Sequence, residues 1–239
     1  MKILGIDTSS SVLSIGITQG DQVIGELVQN KALTHSERLM PHIAYLMETV
    51  DEKIEDIDDC AVTIGPGSFT GIRIGVATAN AFAMAQGKRV IALSTLEALA
   101  YNFRQENLII ISTMYAQRDD YYRGIYEFLL DDQGKHQLVV LQSEAAIDRA
   151  DILKEAREYA KDKPVILVGE ITGAVQEELK SKAGSISLAE GDHNYIRPST
   201  LCFLATERAH LAEDCAKPVY IRKPQAEVQF EERKKLTEV

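Results

Sequence analysis

The order in which apolar periodicity changes along this chain constrains its fold more than any other feature. Lys2–Ile6 is a short apolar run that ends in the turn-prone cluster Asp7-Thr8-Ser9-Ser10. Val12–Thr18 then alternates, with Leu13, Ile15 and Ile17 on one face, and Gln22–Val28 is a second strand-like run reached through the tight turn Gly20-Asp21. The period next becomes helical. Leu39, Met40, Ile43, Leu46, Met47 and Val50 recur at helix spacing behind a Thr34/Glu37 capping-box pair, and Pro41 predicts a bend near the start. A strand over Cys60–Ile64, a helix from Ser68 or Thr70 to about Gln86, a strand over Lys88–Leu93 and a short helix over Thr95–Phe103 follow. The second half repeats the order without clear residue identity. It has a strand at Leu108–Thr113 and a hairpin of Tyr121–Leu130 with His136–Leu141. A helix at Glu144–Ala160, a strand at Pro164–Val168, a helix at Gly173–Lys182, a strand at Ser185–Leu188 and a helix at Ser199–Glu213 complete it.

Two runs of three strands, helix, strand, helix imply an α/β protein of two tandem ribonuclease H-like βββαβα lobes in the actin-like ATPase architecture, an order that carries no function by itself. The expected division is a first lobe at 1–107, a smaller second lobe at 108–198, and a C-terminal helix and tail at 199–239 returning to the first lobe, with Ala189–Pro198 as the crossover. The 239 residues are enough for a sizeable core, and 36 acidic against 26 basic residues give a formal charge of −10. Such a chain repels phosphate at long range, so unaided nucleic-acid binding is not expected. The run Arg233-Lys234-Lys235 reads as a solvated end. Cys60, Cys202 and Cys215 have neither disulfide nor zinc spacing and read as buried thiols. Asp7 comes too early for a signal peptide and no run of eighteen apolar residues occurs, so a cytoplasmic, non-membrane protein is expected.

Three stretches could carry chemistry. The turn Asp7-Thr8-Ser9 stands where an actin-like ATPase grips phosphate, but Ser9 replaces the glycine that lets backbone donors approach. An Asx-turn is the competing reading. Gly169-Glu170-Ile171-Thr172-Gly173 occupies the second lobe's equivalent turn with an acid of the wrong length. Gly65-Pro66-Gly67-Ser68-Phe69-Thr70-Gly71-Ile72-Arg73-Ile74-Gly75 is the most specific string. Ser68 or Thr70 can cap the helix it opens, and such a helix start can bind an anion or merely pack tightly. Asp7, Thr8, Ser9, Gly67, Ser68, Gly169 and Gly173 are accordingly read as vestigial anion or nucleotide turns. Gly71, Gly75, Ala79, Ala83 and Gly87 recur every fourth residue, and Ala77, Ala81 and Ala85 keep another flank small, a pattern for close helix packing within the lobe or across an interface. His35 and His42 are too far apart for one metal ion without other ligands and read as capping or surface groups. No Gly-x-Ser-x-Gly elbow or Cys–His pair is present. A ribonuclease H-type nuclease would want an acid where strand four ends in Ile64-Gly65.

Asp7-Thr8-Ser9, His35-Ser36-Glu37-Arg38-Leu39-Met40-Pro41, Gly65–Gly75, Ser94-Thr95-Leu96-Glu97-Ala98-Leu99-Ala100 and Pro218–Pro224 together resemble the TsaB (YeaZ) family. The resemblance implies a non-catalytic scaffold subunit in the synthesis of threonylcarbamoyl-adenosine in tRNA. In this reading the scaffold supports TsaD, which transfers the threonylcarbamoyl group, together with the ATPase TsaE. TsaD-type proteins hold a metal through His-x-x-x-His after strand five. Thr95 and Leu99 stand at those positions here, so no metal and no catalytic residue are expected. No cofactor is expected in this subunit, with ATP or ADP confined to the level of the complex, and tRNA is met only indirectly. First-lobe helices dock on TsaD in the family, which places the partner interface at Leu39, Met40, Ile43, Met47, Ile72, Arg73, Val76 and Asn80, with a homodimer through the same face when TsaD is absent. The family motif Asp-Ala-Arg-Arg is replaced here by Tyr115-Ala116-Gln117-Arg118.

Two other readings compete. An actin-like-fold kinase or a glycoprotease-type metalloenzyme acting alone would need intact phosphate turns or histidine ligands. A free-standing nucleic-acid-binding module would have to overcome the negative charge.

Overall fold

Among the described residues, ten strands and six helices build two sheets of the same topology. A computed structural model of the chain describes residues 1–31, 34–116, 119–171, 173–180 and 185–222. Gln117-Arg118 and the Arg233-Lys234-Lys235 run lie outside the described residues. In the first lobe β1 (Lys2–Asp7), β2 (Val12–Gln19) and β3 (Gln22–Asn30) form an antiparallel meander, and β4 (Asp59–Gly65) and β5 (Arg89–Ser94) add in parallel to give the order β3-β2-β1-β4-β5. In the second, β6 (Ile109–Tyr115), β7 (Asp120–Leu130) and β8 (His136–Asp148) form the meander. Parallel β9 (Val165–Gly169) and β10 (Ile186–Leu188) complete the order β10-β9-β6-β7-β8. Read from its meander, each sheet is 3-2-1-4-5, so the tandem βββαβα architecture expected from periodicity is the one observed.

Helices lie in three layers around the sheets. The first-lobe helices α1 (His35–Thr49) and α2 (Phe69–Gln86) cover one face of the first sheet, where Leu4, Ile6, Ile15 and Ile17 meet Leu39, Ile43, Leu46, Ile72 and Val76. The opposite faces of both sheets close on α3 (Thr95–Ala100) and α6 (Pro198–Glu207), burying Ile3, Ile110, Met114, Leu96, Leu99 and Leu201 in one core shared by the lobes. On the far side, α4 (Arg149–Tyr159) and α5 (Gly173–Lys180) pack Ile152, Leu153 and Val175 against Ile109, Ile111 and Leu167. Alternation along β1 explains the arrangement, since Ile3 points to the shared core while Leu4 and Ile6 point to α1 and α2. Helix α6 presses on the first lobe so closely that a Cβ on Gly5 would strike Cys202 Sγ and one on Gly16 would strike Pro198.

Several local expectations are corrected. Glu144–Asp148 is strand, not helix. Glu-Ala-Ala favours a helix locally, but β7 is long, and Arg123, Tyr122, Tyr121 and Asp120 pair with Ala145, Ala146, Ile147 and Asp148. Helix α4 therefore begins at Arg149, with Asp148 capping it through Asp151 N–H at 2.9 Å. The last helix stops at Glu207 and gives way to a 3-10 turn at Ala209–Leu211. Likewise α3 ends at Ala100, with Tyr101–Phe103 as a 3-10 turn. Thr34 makes no side-chain cap, so the expected capping box is not formed, and Pro41 sits inside the single unbroken helix α1. Cys60 and Cys202 are buried, their thiols pushed up to about 12 by desolvation, whereas Cys215 is exposed.

Candidate functional site

The cleft between the lobes is lined by Ser9, Ser10 and Ser11 of the turn after β1, by Met114 of β6 and by Glu170 just after β9. Asp7, at the end of β1, is buried beneath that turn. Its Oδ1 accepts the Ser9 N–H at 3.1 Å and the Thr63 hydroxyl at 2.6 Å, so the turn is the Asx-turn that sequence allowed. Burial raises the Asp7 carboxyl above its ordinary range, and these hydrogen bonds oppose the rise only in part. Across the cleft, Glu170 accepts the Tyr115 N–H at 3.0 Å, and its carboxyl is raised by burial and by the Asp7 charge. The two turns thus set two acids within electrostatic reach of each other.

Two donors of the glycine-rich loop are engaged within the lobe. Ser68 N–H donates to Ser9 C=O at 2.6 Å, and Ser68 Oγ caps α2 by accepting the Gly71 N–H at 3.2 Å. Thr8 Oγ1 donates to Gly71 C=O at 2.7 Å. A Cβ on Gly67 would collide with the Ser9 backbone, and Cβ atoms on Gly71 and Gly75 would collide with Thr8. These glycines exist for contact between α2 and the first turn. Gly169, at φ +103°, donates its N–H to Asn194 Oδ1 at 3.0 Å, and Gly173 opens α5 with open space around it. Thr172, between them, lies outside the described residues.

The cavity left in the cleft is about 100 Å³, with Ser9, Leu99, Met114, Glu170 and Asn194 in its wall. Ligand pockets for drug-sized molecules are roughly 300–1,000 Å³, so a nucleotide does not fit this space. A metal fits no better at the positions the resemblance marks. Thr95 is buried with no hydrogen-bond partner for its hydroxyl, and Leu99 fills the cleft with methyl groups against Gly169. His35 Nε2 is 2.8 Å from Ser10 C=O, and His42 Nδ1 is 2.8 Å from Arg38 C=O, so the two histidines serve separate carbonyls. Among the described residues no group of three or more His, Cys, Asp or Glu side chains gathers as a metal cluster.

The residues assigned to a partner interface are divided by the structure. Leu39, Ile43, Met47, Ile72 (1% exposed) and Val76 (4%) face the chain's own sheet and offer no surface, because one apolar stripe cannot serve a core and a partner together. The small-residue row Gly71-Gly75-Ala79-Ala83 is likewise buried within the lobe. Asn80 is engaged internally: its Nδ2 donates to Ala216 C=O at 3.0 Å and its Oδ1 accepts Ala216 N–H at 2.8 Å. Arg73 lies over the Phe69 ring at 3.8 Å and donates from Nε to the Tyr220 hydroxyl at 2.8 Å. Met40 alone of the eight is a free apolar surface residue, 50% exposed. Sequence reasoning missed two stronger ones, Tyr45 (62%) and Met84 (83%). Both sit off the buried stripes of their helices, and Met84 stands beside exposed Ala77, Ala81 and Ala85, so helix phase was the signal available.

The tandem βββαβα topology and the inter-lobe cleft together define a two-lobed α/β protein of actin-like architecture. The family described as "TsaD: tRNA N6-adenosine threonylcarbamoyltransferase" matches residues 22–230. The "tRNA threonylcarbamoyladenosine biosynthesis protein TsaB" of Bacillus subtilis (strain 168) is 33% identical over 240 residues, covering 98% of this chain and 100% of that protein. A "tRNA N6-adenosine threonylcarbamoyltransferase" of Erythrobacter litoralis (strain HTCC2594) is 31% identical over 118 residues, 43% of this chain and 34% of its own length. The crystal structure of a Pseudomonas aeruginosa protein "with similarity to peptidase YEAZ" shares the fold, with a TM-score of 0.72 at 23% identity, over 92% of this chain and 99% of that one. The chain belongs to this threonylcarbamoyltransferase family, and within it to the TsaB (YeaZ) proteins.

Proposed function

We propose that the chain is a docking subunit in the synthesis of threonylcarbamoyladenosine in tRNA. It binds a TsaD protein through the solvent side of α1 and α2 and carries out no threonylcarbamoyl transfer itself. TsaE joins the pair, nucleotide is held at the level of the complex, and tRNA is met through the partners. Without TsaD the same face pairs two copies of this chain.

The observation that carries this reading is the exposure of Met40, Tyr45 and Met84 on the outer side of helices whose other large aliphatic and aromatic side chains are buried or half-buried. Aromatic and methionine side chains of this kind are enriched in interface cores and repack readily on a partner. The cleft supports the same reading, because Leu99 and Glu170 line it and offer neither a histidine ligand nor a phosphate donor.

The test is affinity for a TsaD protein. Met84→Asp and Tyr45→Ala each weaken binding by at least ~2 kcal/mol, as expected of a hot-spot loss, with the thermal midpoint unchanged. Wild-type affinity in both variants contradicts the assignment of this face.

A further inference from the structure

A second hollow lies at the opposite end of the central strands from the cleft. The cleft sits past the ends of β1 and β6, at Ser9 and Met114. The hollow sits where those strands begin. Asp21 in its wall follows Gln19, the partner of Lys2, and Asp131 follows β7, whose Glu127 pairs with Ile109. The last turn of α6 and the 3-10 turns on either side of the shared core complete the wall. The hollow measures about 780 Å³, inside the roughly 300–1,000 Å³ range of small-molecule sites, and shares no wall residue with the cleft.

The charges in this wall are paired unequally. Two of its three acids are already engaged. Glu207 accepts the Tyr101 hydroxyl on one oxygen and pairs with Arg104 through the other at 3.1 Å. Asp131 Oδ1 accepts the Gln133 and Lys135 N–H groups at 2.8 and 2.9 Å, and its Oδ2 accepts the Gln137 amide at 3.2 Å. Asp21 is the one wall acid whose side chain has no hydrogen bond or ion pair among the described residues. On the basic side, the Lys135 ammonium and the His136 and His210 rings have none either, and Arg208 meets Glu97 only at 3.7 Å. The spare groups are therefore mainly donors, with half-buried Leu138 and Phe203 beside them. Ammonium, guanidinium and imidazole groups gathered around one hollow are the chemistry that holds phosphate and carboxylate groups. In a chain of formal charge −10, a local surplus of free donors is not a general property of the surface.

We propose that this hollow is a binding site for a small organic polyanion, a molecule with two or more phosphate or carboxylate groups, held by Lys135, Arg208, His136 and His210. Leu138 and Phe203 receive the ligand's apolar part, and Asp21 sets a limit on affinity by opposing the charge. Neither α1 nor α2 contributes to the wall, so the site stands or falls separately from the docking face and is tested on the full chain alone.

The experiment titrates the protein with inorganic pyrophosphate and, in parallel, with citrate at constant ionic strength, and follows the ring C–H signals of the five histidines by NMR. His136 and His210 move together and saturate with a Kd below ~5 mM for at least one probe, while His35, His42 and His193 stay in place. The tighter probe tells phosphate from carboxylate recognition. Lys135→Glu weakens binding by at least ~5-fold, and Asp21→Asn strengthens it by ~2-fold or more. Lys161→Glu makes the same change of charge at an exposed position outside the wall and leaves the affinity unaltered. The proposal is overturned if neither probe saturates, if all five histidines shift alike as in a general salt effect, or if Lys161→Glu weakens binding as much as Lys135→Glu.

Discussion

Thr63 donates its hydroxyl to Asp7 Oδ1 at 2.6 Å, tying the middle of β4 to the end of β1 at the floor of the cleft. Asp7 is held there as an acceptor, and burial raises its carboxyl. A raised pKa in the folded state means that the folded chain binds protons the unfolded chain has released. Stability then falls as pH climbs from the ordinary value of 3.8 through the folded value. Asp7→Asn keeps the acceptor and removes the charge, so it retains or raises the thermal midpoint at pH 7 and flattens its decline with pH. Asp7→Leu leaves the Ser9 N–H and the Thr63 hydroxyl without their acceptor and costs about 1–3 kcal/mol in denaturant unfolding.

The carboxyl groups between the lobes act in the same direction. Ser94 and Tyr126 both donate to Glu144, yet burial and the neighbouring Glu97 charge leave its pKa raised. Glu97 is raised by burial, with Arg208 at 3.7 Å opposing the shift. Both therefore subtract stability as pH rises above the ordinary 4.5. Glu144→Gln reduces the loss of thermal stability between pH 4.5 and 8. An unchanged pH profile would remove Glu144 from this role. Glu26 opposes the trend. Burial raises it, but hydrogen bonds from Arg197 and Ser199 prevail and lower it, so its contribution is lost on acidification below 4.5.

Glycines that look alike in sequence separate by environment. Gly71→Ala drives a methyl into the Thr8 carbonyl and costs about 1–3 kcal/mol by overpacking, measured as a fall in the denaturant midpoint. Gly173→Ala meets nothing and changes stability by no more than about 0.5 kcal/mol.

The buried and exposed sides of α2 separate stability from docking. Ile72→Ala opens a cavity in the first-lobe core and costs about 2–5 kcal/mol, whereas Met84→Ala leaves the unfolding midpoint within experimental scatter. Ile72→Glu places a charge in that core and reports unfolding, so it is no probe of the interface.

What was legible in the sequence was periodicity and turn chemistry. Gly20-Asp21 and Asp131–Gly134 mark hairpins that the register confirms, and the repeated element order yields both sheets. Long-range competition was not legible. Glu144-Ala145-Ala146 is strand because β7 is there to pair with it, and no local signal says so. The Asn80–Ala216 clasp joins residues 136 apart. At the candidate site, Thr95 and Leu99 were marked only by the family resemblance, which sets histidines at those two positions. The outward residues could not be separated from the inward ones until helix phase was fixed, and so Ile72 and Val76 were assigned to a surface that Tyr45 and Met84 provide.

Reconstituted threonylcarbamoyl transfer to tRNA with a TsaD protein and its remaining partners tests the docking account most directly. The chain alone yields no modified tRNA. Adding it to the partners restores modification, and the double variant Tyr45→Ala/Met84→Asp restores at least ~10-fold less, as loss of interface anchors dictates. Modified tRNA produced by the chain alone, or full restoration by the double variant, would contradict the account.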